Sequence, residues 1–204
     1  MNTVFIRNYS EDFPINRREI WRYAGFKGQP DLQLEALLDA VIADLSGKLS
    51  YRVCYRTFET LPVGEDSKDL AKALRGSSGV VLFAATIGLE VDRYIAKYQH
   101  ISATRALLAQ AFGAERIEAL CDGFCDEFGA ARRFSPGYGD FPLEAQKEIF
   151  ALLDCSKMIG VSLTESLLMM PSKSVTAIFG IGCAKENTAH KCENCNISDC
   201  NYRW

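Results

Sequence analysis

The stretch 79–88, "GVVLFAATIG", most narrows what this chain can become. Between its glycines every residue but one threonine is apolar, and β-branched and aromatic types are prominent. The run is far too short to cross a bilayer, and its bounding glycines mark it as a buried strand ending in a turn. Such a strand needs a sheet and a core to hide it. With 204 residues, 48% of them hydrophobic, the chain can build one sizeable domain of that kind.

The segments around it supply the remaining pieces. "YRVCYRTFETLPV" alternates and is rich in strand-forming types, while "GVSLTESLLMM" and "SVTAIFGIG" read as two late strands joined through the turn-like "PSKS". Helical patterns fill the rest. "NRREIWRYAGFKG" starts after Asn16, a suitable N-cap, and stops at Gly28. "DLQLEALLDAVIADLSGKL" repeats apolar residues at helical spacing, and "SKDLAKALRG" reads as a short helix. From 89 to 131 the pattern is helical with candidate breaks at His100 and Gly113, and "PLEAQKEIFALLDC" makes a helix with Pro142 in its first turn. Helices at the front and paired strands late predict an α+β fold with a mostly antiparallel sheet and flanking helices. That domain is expected over 1–182, with the polar, cysteine-rich 183–204 as a separate tail.

A net charge of -3 argues against nucleic acid as the main partner, because phosphate binding normally shows as a basic excess. No apolar run approaches the roughly 20 residues of a membrane helix. The first residues, "MNTVFIRNYSEDF", carry acids where a signal peptide would carry a cationic and then an apolar segment, so a cytoplasmic location is expected.

Chemistry concentrates in "ARRFSPGYGDFP", 131–142. Arg133 is the residue type best shaped to grip a carboxylate, through two parallel hydrogen bonds. Pro136 and Gly137 set a tight turn, Gly137 and Gly139 permit close backbone approach, and Tyr138 adds a flat face with a hydroxyl. The set suits a small ligand carrying a carboxylate and a ring. Upstream, Asp122 and Asp126 share a helix face, and an acid near Arg133 could meet an ammonium, completing recognition of an amino-acid zwitterion. The plainer alternative is a helix-to-helix connection with a surface ion pair.

Two motifs in this region, the Arg-x-x-Pro-Gly-Tyr of 133–138 and the Leu-Thr-Glu-Ser of 163–166 with its Met-x-Pro end and Ser-Val strand, resemble the reactivation domain of cobalamin-dependent methionine synthase. The resemblance runs from about Leu120 to Phe179. It implies a curved antiparallel sheet that binds S-adenosylmethionine in a shallow groove and docks over cobalamin held elsewhere. By the resemblance Arg133 would take the methionine carboxylate, and Ser135 would add backbone contacts. Pro136, Gly137 and Tyr138 would form the turn toward ligand and corrin, and Asp122 would stand in for the family's helical glutamate at the ammonium. A family tyrosine beyond the Ser-Val strand has no match here. The implied chemistry is reductive methylation of inactive cob(II)alamin, with an electron donor such as flavodoxin, and the protein's share in it is positioning.

Only His100 and His190 occur, and neither sits in an Asp-x-His-x-x-Gly cobalamin motif. The expectation is therefore a freestanding reactivation subunit acting in trans on a cobalamin-binding synthase that lacks this domain, a component of that methyltransferase system and not a complete synthase. In "LTES", Thr164 and Ser166 are expected outward, Leu163 and Leu167 inward, and Glu165 to order the adjacent loop; Met169 and Met170 are expected as core or groove wall.

The eight cysteines fall into two groups. Cys54, Cys121, Cys125 and Cys155 lie in apolar patterns and are expected as reduced core residues. Cys183, Cys192, Cys195 and Cys200, with a Cys-x-x-Cys centre, have the makings of a zinc or iron–sulfur site, with His190 as a spare ligand. A thiol-rich tail without metal is the alternative. Two other functions compete with reactivation: a metal or iron–sulfur redox adaptor, and an activator of another corrinoid methyltransferase.

Overall fold

The computed structural model describes residues 3–10, 13–130 and 132–182. In chain order the first elements are β1 (Phe5–Tyr9), α1 (Arg17–Tyr23), α2 (Leu32–Leu45), β2 (Tyr51–Phe58), α3 (Lys68–Ala73) and β3 (Gly79–Thr86). Then come α4 (Glu90–Tyr98), α5 (Ala103–Glu127), α6 (Ala145–Leu153), α7 (Cys155–Ile159), β4 (Ser162–Leu163), β5 (Met169–Met170) and β6 (Ser174–Ile181).

The uninterrupted apolar character of β3 follows from its place. It lies inside an antiparallel sheet of order β1-β2-β3-β6, with Phe83 opposite Tyr55 on one side and Ala177 on the other. Successive side chains point to opposite faces. Val81, Phe83 and Ala85 join a core with Val53, Tyr55, Phe179 and the inner residues of α1, α2, α4 and α5. Val80, Leu82 and Ala84 join a second core with Cys54, Ile178 and residues of α6 and α7. Helices thus cover both faces of the sheet, and β3 has no wet side. The expected α+β fold with its antiparallel sheet is the one observed. None of the described helices is long and apolar enough to cross a membrane.

The 25-residue α5 organises everything that follows. Its start is capped by Ser102, whose Oγ accepts from Arg105 N, and the preceding break falls at 99–102 as expected from His100. Gly113 does not interrupt it. A Cβ there would stand 2.8 Å from Val91 Cγ1 and 2.9 Å from Lys173 Cε, so the glycine serves close packing within a continuous helix. Farther along, Phe124 packs its ring against Phe83, Phe179 and Tyr55, with centroids 5.1, 5.9 and 5.2 Å away. These aromatic contacts lock the C-terminal half of α5 onto the sheet.

A buried ion pair ties the N-terminal segment to the same helix. Arg116 is 1% exposed and bonds Glu115 through Nε and Nη2, each at 2.5 Å. Its Nη1 and Nη2 also reach the carbonyls of Phe13 and Pro14, at 2.5 and 2.8 Å, while Glu115 Oε1 accepts from Asn16 N at 2.9 Å. Asn16 is the N-cap of α1, its side chain accepting from Glu19 N, as its position in the sequence predicts.

Two local expectations differ, and one strand comes in addition to those expected. α1 ends at Tyr23, well before Gly28, because the chain already reverses at Gly25 with φ 73°. The edge strand β1 carries no apolar periodicity; it exists because β2 pairs with it residue by residue from Phe5–Tyr55 to Tyr9–Tyr51. "GVSLTESLLMM" is not one strand. β4 and β5 form a small hairpin in which Thr164 N donates to Leu168 O at 2.9 Å and Thr164 Oγ1 accepts from Leu168 N at 3.0 Å. Thr164 Oγ1 also lies 3.0 Å from Ser166 Oγ, so the two hydroxyls close a turn where they were expected to line a strand. Glu165 is exposed on that turn, and Leu167 takes the left-handed conformation with φ 63°.

Candidate functional site

Arg133 owes its position to two backbone devices. At the end of α5 the chain turns back through Gly129, with φ 63°; Gly129 N donates to Asp126 O and Ala130 N to Cys125 O, both at 3.0 Å. This paired closure is the Schellman pattern, which needs a residue free to adopt positive φ. Immediately after Arg133, Phe134 exchanges two 2.8 Å hydrogen bonds with Ile178 and so pins the strand edge of β6. Between these anchors the Arg133 side chain lies back along α5, only 14% exposed.

There it meets two acids one helical turn apart. Nη2 bonds Glu118 and Nη1 bonds Asp122. Burial alone would weaken the cation, but the Cys121 sulfur, once ionised in strongly alkaline solution, and the Glu118 and Asp122 carboxylates outweigh it, so the guanidinium holds its proton more firmly than an ordinary arginine. Burial pushes the Cys125 thiol up to about 11, against the lowering effect of Arg133. Both helix thiols, Cys121 and Cys125, are raised by burial and stay neutral at neutral pH. All four of the cysteines expected as core residues are buried and free.

The Pro-Gly-Tyr turn follows. Tyr138 N donates to Ser135 O at 3.2 Å, with Pro136 and Gly137 at its two corners and Gly137 at φ 91°. A prolyl first corner and a positive-φ glycine second corner define a type II turn. Pro136 is buried, Gly137 is exposed, and Tyr138 stands out at 64% exposure.

Tyr138 borders an open groove of about 420 Å³, within the range of about 300–1,000 Å³ usual for small-molecule sites. Its α5 side is Gln110, Ala111, Ala114 and Glu118, and its α1 side is Arg22 and Tyr23. Residues 110, 114, 118 and 122 recur every four positions and so share one stripe of the helix. The alanines leave room between the longer side chains. Arg22 lies 4.4 Å over the Tyr23 ring and grips Glu19 through Nε and Nη2. Burial, with Glu118 adding to it, pushes the Tyr23 phenol up to about 12. The groove thus offers aromatic faces, an amide, a carboxylate and one cation, Arg22, in one place.

The expected residues divide around this groove. Arg133 and Asp122 are together, and Ser135, Pro136, Gly137 and Tyr138 form the turn beside them. Of these only Tyr138 lines the groove; Asp122, 59% exposed, stands on Arg133, and both lie beside the lining, to which Glu118 does belong. Asp126 is exposed and takes no part. Glu118, Gln110, Arg22 and Tyr23 escaped the sequence reading. The four-residue spacing on α5 was a usable signal for two of them, whereas nothing local points from α1 to this groove.

Gly139 was expected to admit a ligand, but it admits the neighbouring helix. A Cβ there would stand 2.2 Å from Asp69 Oδ2. Asp140 then caps α3, accepting from Ser67 Oγ at 2.5 Å, Lys68 N at 2.9 Å and Asp69 N at 3.2 Å. The Ser67 hydrogen bond, with those of Lys68 and Asp69, holds the Asp140 carboxyl below the usual aspartate range. The loop therefore has a groove-bordering half, at Tyr138, and a structural half, at Gly139 and Asp140. Gly139→Ala forces an L side chain into φ 54° and displaces Asp69, so a loss of about 1–3 kcal/mol is expected in urea unfolding. A loss below about 0.5 kcal/mol would mean that the loop tolerates the shift.

Cys183, Cys192, Cys195 and Cys200 lie outside the described residues. Among the described residues no group of three or more histidine, cysteine or acidic side chains could hold a metal ion.

Comparison with known proteins agrees with the motif resemblance. Residues 126–203 match the family model "Vitamin B12 dependent methionine synthase, activation domain". Both motifs that carry the resemblance lie inside the match, which continues past Phe179 into the cysteine-rich segment. Among solved structures, the chain is similar to the crystal structure of the MetH reactivation domain bound to AdoHcy, with a TM-score of 0.62 and 17% identity. That similarity covers 92% of this chain and 81% of the other. No curated protein matches the chain in sequence. The chain thus has the reactivation-domain fold over most of its length and the activation-domain sequence pattern over its C-terminal part.

Proposed function

We propose that this chain, activation-domain-like in sequence over 126–203 and in fold over most of its length, binds S-adenosylmethionine and supports reactivation of a cobalamin-dependent methionine synthase. One observation carries the reading: Arg133 is held between a helix-terminating turn and a sheet bridge, next to a groove that contains a carboxylate and aromatic rings. The donor set fits the ligand. A guanidinium suits the methionine carboxylate, an acid of α5 suits the ammonium, and the Tyr138 ring suits a flat purine. The backbone of Ser135, Pro136 and Gly137 holds that ring in place. AdoHcy in the structurally similar reactivation domain is the demethylated form of this ligand.

Cobalamin on the partner, with an electron donor such as flavodoxin, would supply the redox and methyl-accepting chemistry, while Arg133, an acid of α5 and Tyr138 would hold the sulfonium ligand that gives up its methyl group. The chain's residues bind and orient. A sulfonium is already an activated methyl donor, so no general base is needed, and the contribution is proximity. Cobalamin belongs to the partner, a synthase on which this chain acts in trans in the cytoplasm.

The test mixes the protein with S-adenosylmethionine, a reductant and a cob(II)alamin-loaded synthase lacking its own reactivation domain. The expected result is the absorption spectrum of methylcobalamin only when all components are present. Its appearance without this chain, or its absence with all of them, refutes the proposal. An adaptor working through its tail would pass electrons without any need for S-adenosylmethionine, and an activator of another corrinoid protein would respond only to that partner.

A further inference from the structure

We propose that Asp122 is a displaceable counter-ion that competes with the ligand's carboxylate for Arg133, and that Glu118 is the acid that meets the ligand's ammonium. This rests on the reading that the groove binds the amino-acid end of S-adenosylmethionine.

The two acids hold Arg133 unequally. Each takes one terminal nitrogen of the guanidinium. Glu118 is 32% exposed and lines the groove, linking it to Arg133, which lies just outside the lining; Asp122 is 59% exposed, also outside the lining, and one turn farther along α5. An ion pair with so exposed a partner contributes little and is weakened by salt. Of the two contacts, the one at Nη1 is therefore the easier to give up.

Exchange there leaves the electrostatics intact. If the ligand's carboxylate replaces Asp122 on Nη1, Arg133 still faces two carboxylates and Asp122 returns to water. No buried charge is stranded, which would be costly. The buried thiols of Cys121 and Cys125 are neutral and do not compete. In an α-amino acid the ammonium sits on the same carbon as the carboxylate. With the carboxylate on Arg133, the acid next to that nitrogen on the groove side is Glu118. Placing the ammonium on Asp122 would draw the ligand away from Tyr138 and the groove. Asp122 thus sets affinity by holding the binding arginine in a partly occupied state, and its removal relieves that competition.

Calorimetric titration at low ionic strength tests this, using S-adenosylhomocysteine and, as a probe lacking the amino-acid end, 5′-methylthioadenosine. For Asp122→Asn, S-adenosylhomocysteine is expected to bind about three- to tenfold more tightly than to wild type, with the probe unchanged. For Glu118→Gln it is expected to bind at least about tenfold more weakly, again with the probe unchanged. If Glu118→Gln does not fold, Glu118→Asp replaces it and is expected to weaken binding in the same direction. Equal or weaker binding by Asp122→Asn overturns the counter-ion role, and wild-type affinity in the Glu118 variant overturns the ammonium role. Binding by Asp122→Asn where wild type shows none supports the competition. If neither binds while both remain folded, the ligand reading itself fails, and this inference with it.

Discussion

Arg116→Ala is expected to lower stability by about 3–5 kcal/mol, the cost of removing one partner from a buried ion pair. The residue is 1% exposed and Glu115 is 4% exposed, so the carboxylate left behind has little access to water. The carbonyls of Phe13 and Pro14 lose their donor as well. No local rearrangement repairs this easily. Phe13 is held close to α5, where a Cβ on Gly123 would stand 2.4 Å from its ring, and Glu115 also anchors Asn16 N at the start of α1. The damage should spread from Asn16 to Arg22 and Tyr23, the α1 side of the groove, so weaker ligand binding should accompany the lower stability. Urea denaturation followed by circular dichroism measures the effect. The double variant Arg116→Met with Glu115→Gln is expected to recover much of the loss, because an uncharged pair strands no ion. A single-variant loss below about 1 kcal/mol would show that the pair is dispensable.

Arg133→Ala is expected to weaken S-adenosylhomocysteine binding by about 100-fold or more, the equivalent of losing one or two hydrogen bonds to a charged group at roughly 1.5–3 kcal/mol each. Binding of 5′-methylthioadenosine, which has no carboxylate, should hardly change. Arg133→Lys keeps the charge but not the planar fork, and an intermediate loss is expected. The substitution has a structural side too. Without the guanidinium, Glu118 and Asp122 face each other one helical turn apart, an unfavourable like-charge pair. Thermal unfolding of the same samples separates the two effects, because a ligand-specific loss leaves the probe's affinity in place. Undiminished S-adenosylhomocysteine binding in a folded Arg133→Ala protein would remove the carboxylate clamp.

Much of this molecule could be read residue by residue. The turn chemistry of Ser135-Pro136-Gly137-Tyr138 is local: a ring-fixed φ followed by a glycine free to go positive leaves few other shapes. The strands β2, β3 and β6 announce themselves through apolar and β-branched composition, and Asn16 caps α1 because its short side chain reaches the orphan amide of Glu19. What could not be read depends on a distant partner. β1 has no pattern of its own and is a strand because β2 lies beside it. The "LTES" segment is strand-like in composition, yet Thr164 folds it back on Leu168. Gly139 and Gly137 look alike in sequence, but one faces Asp69 and the other solvent.

The chain's sequence alone determined that there is a buried sheet, where its long helices run, and that a tight turn following Arg133 presents Tyr138, since these follow from conformational preferences acting over a few residues. Only the tertiary structure decided that Arg133 meets carboxylates 15 and 11 positions earlier, and that α1 supplies the far side of the groove. Ion pairing and cavity shape depend on distances across packed elements, and those distances are settled by how two helices and a returning loop share the surface of one sheet.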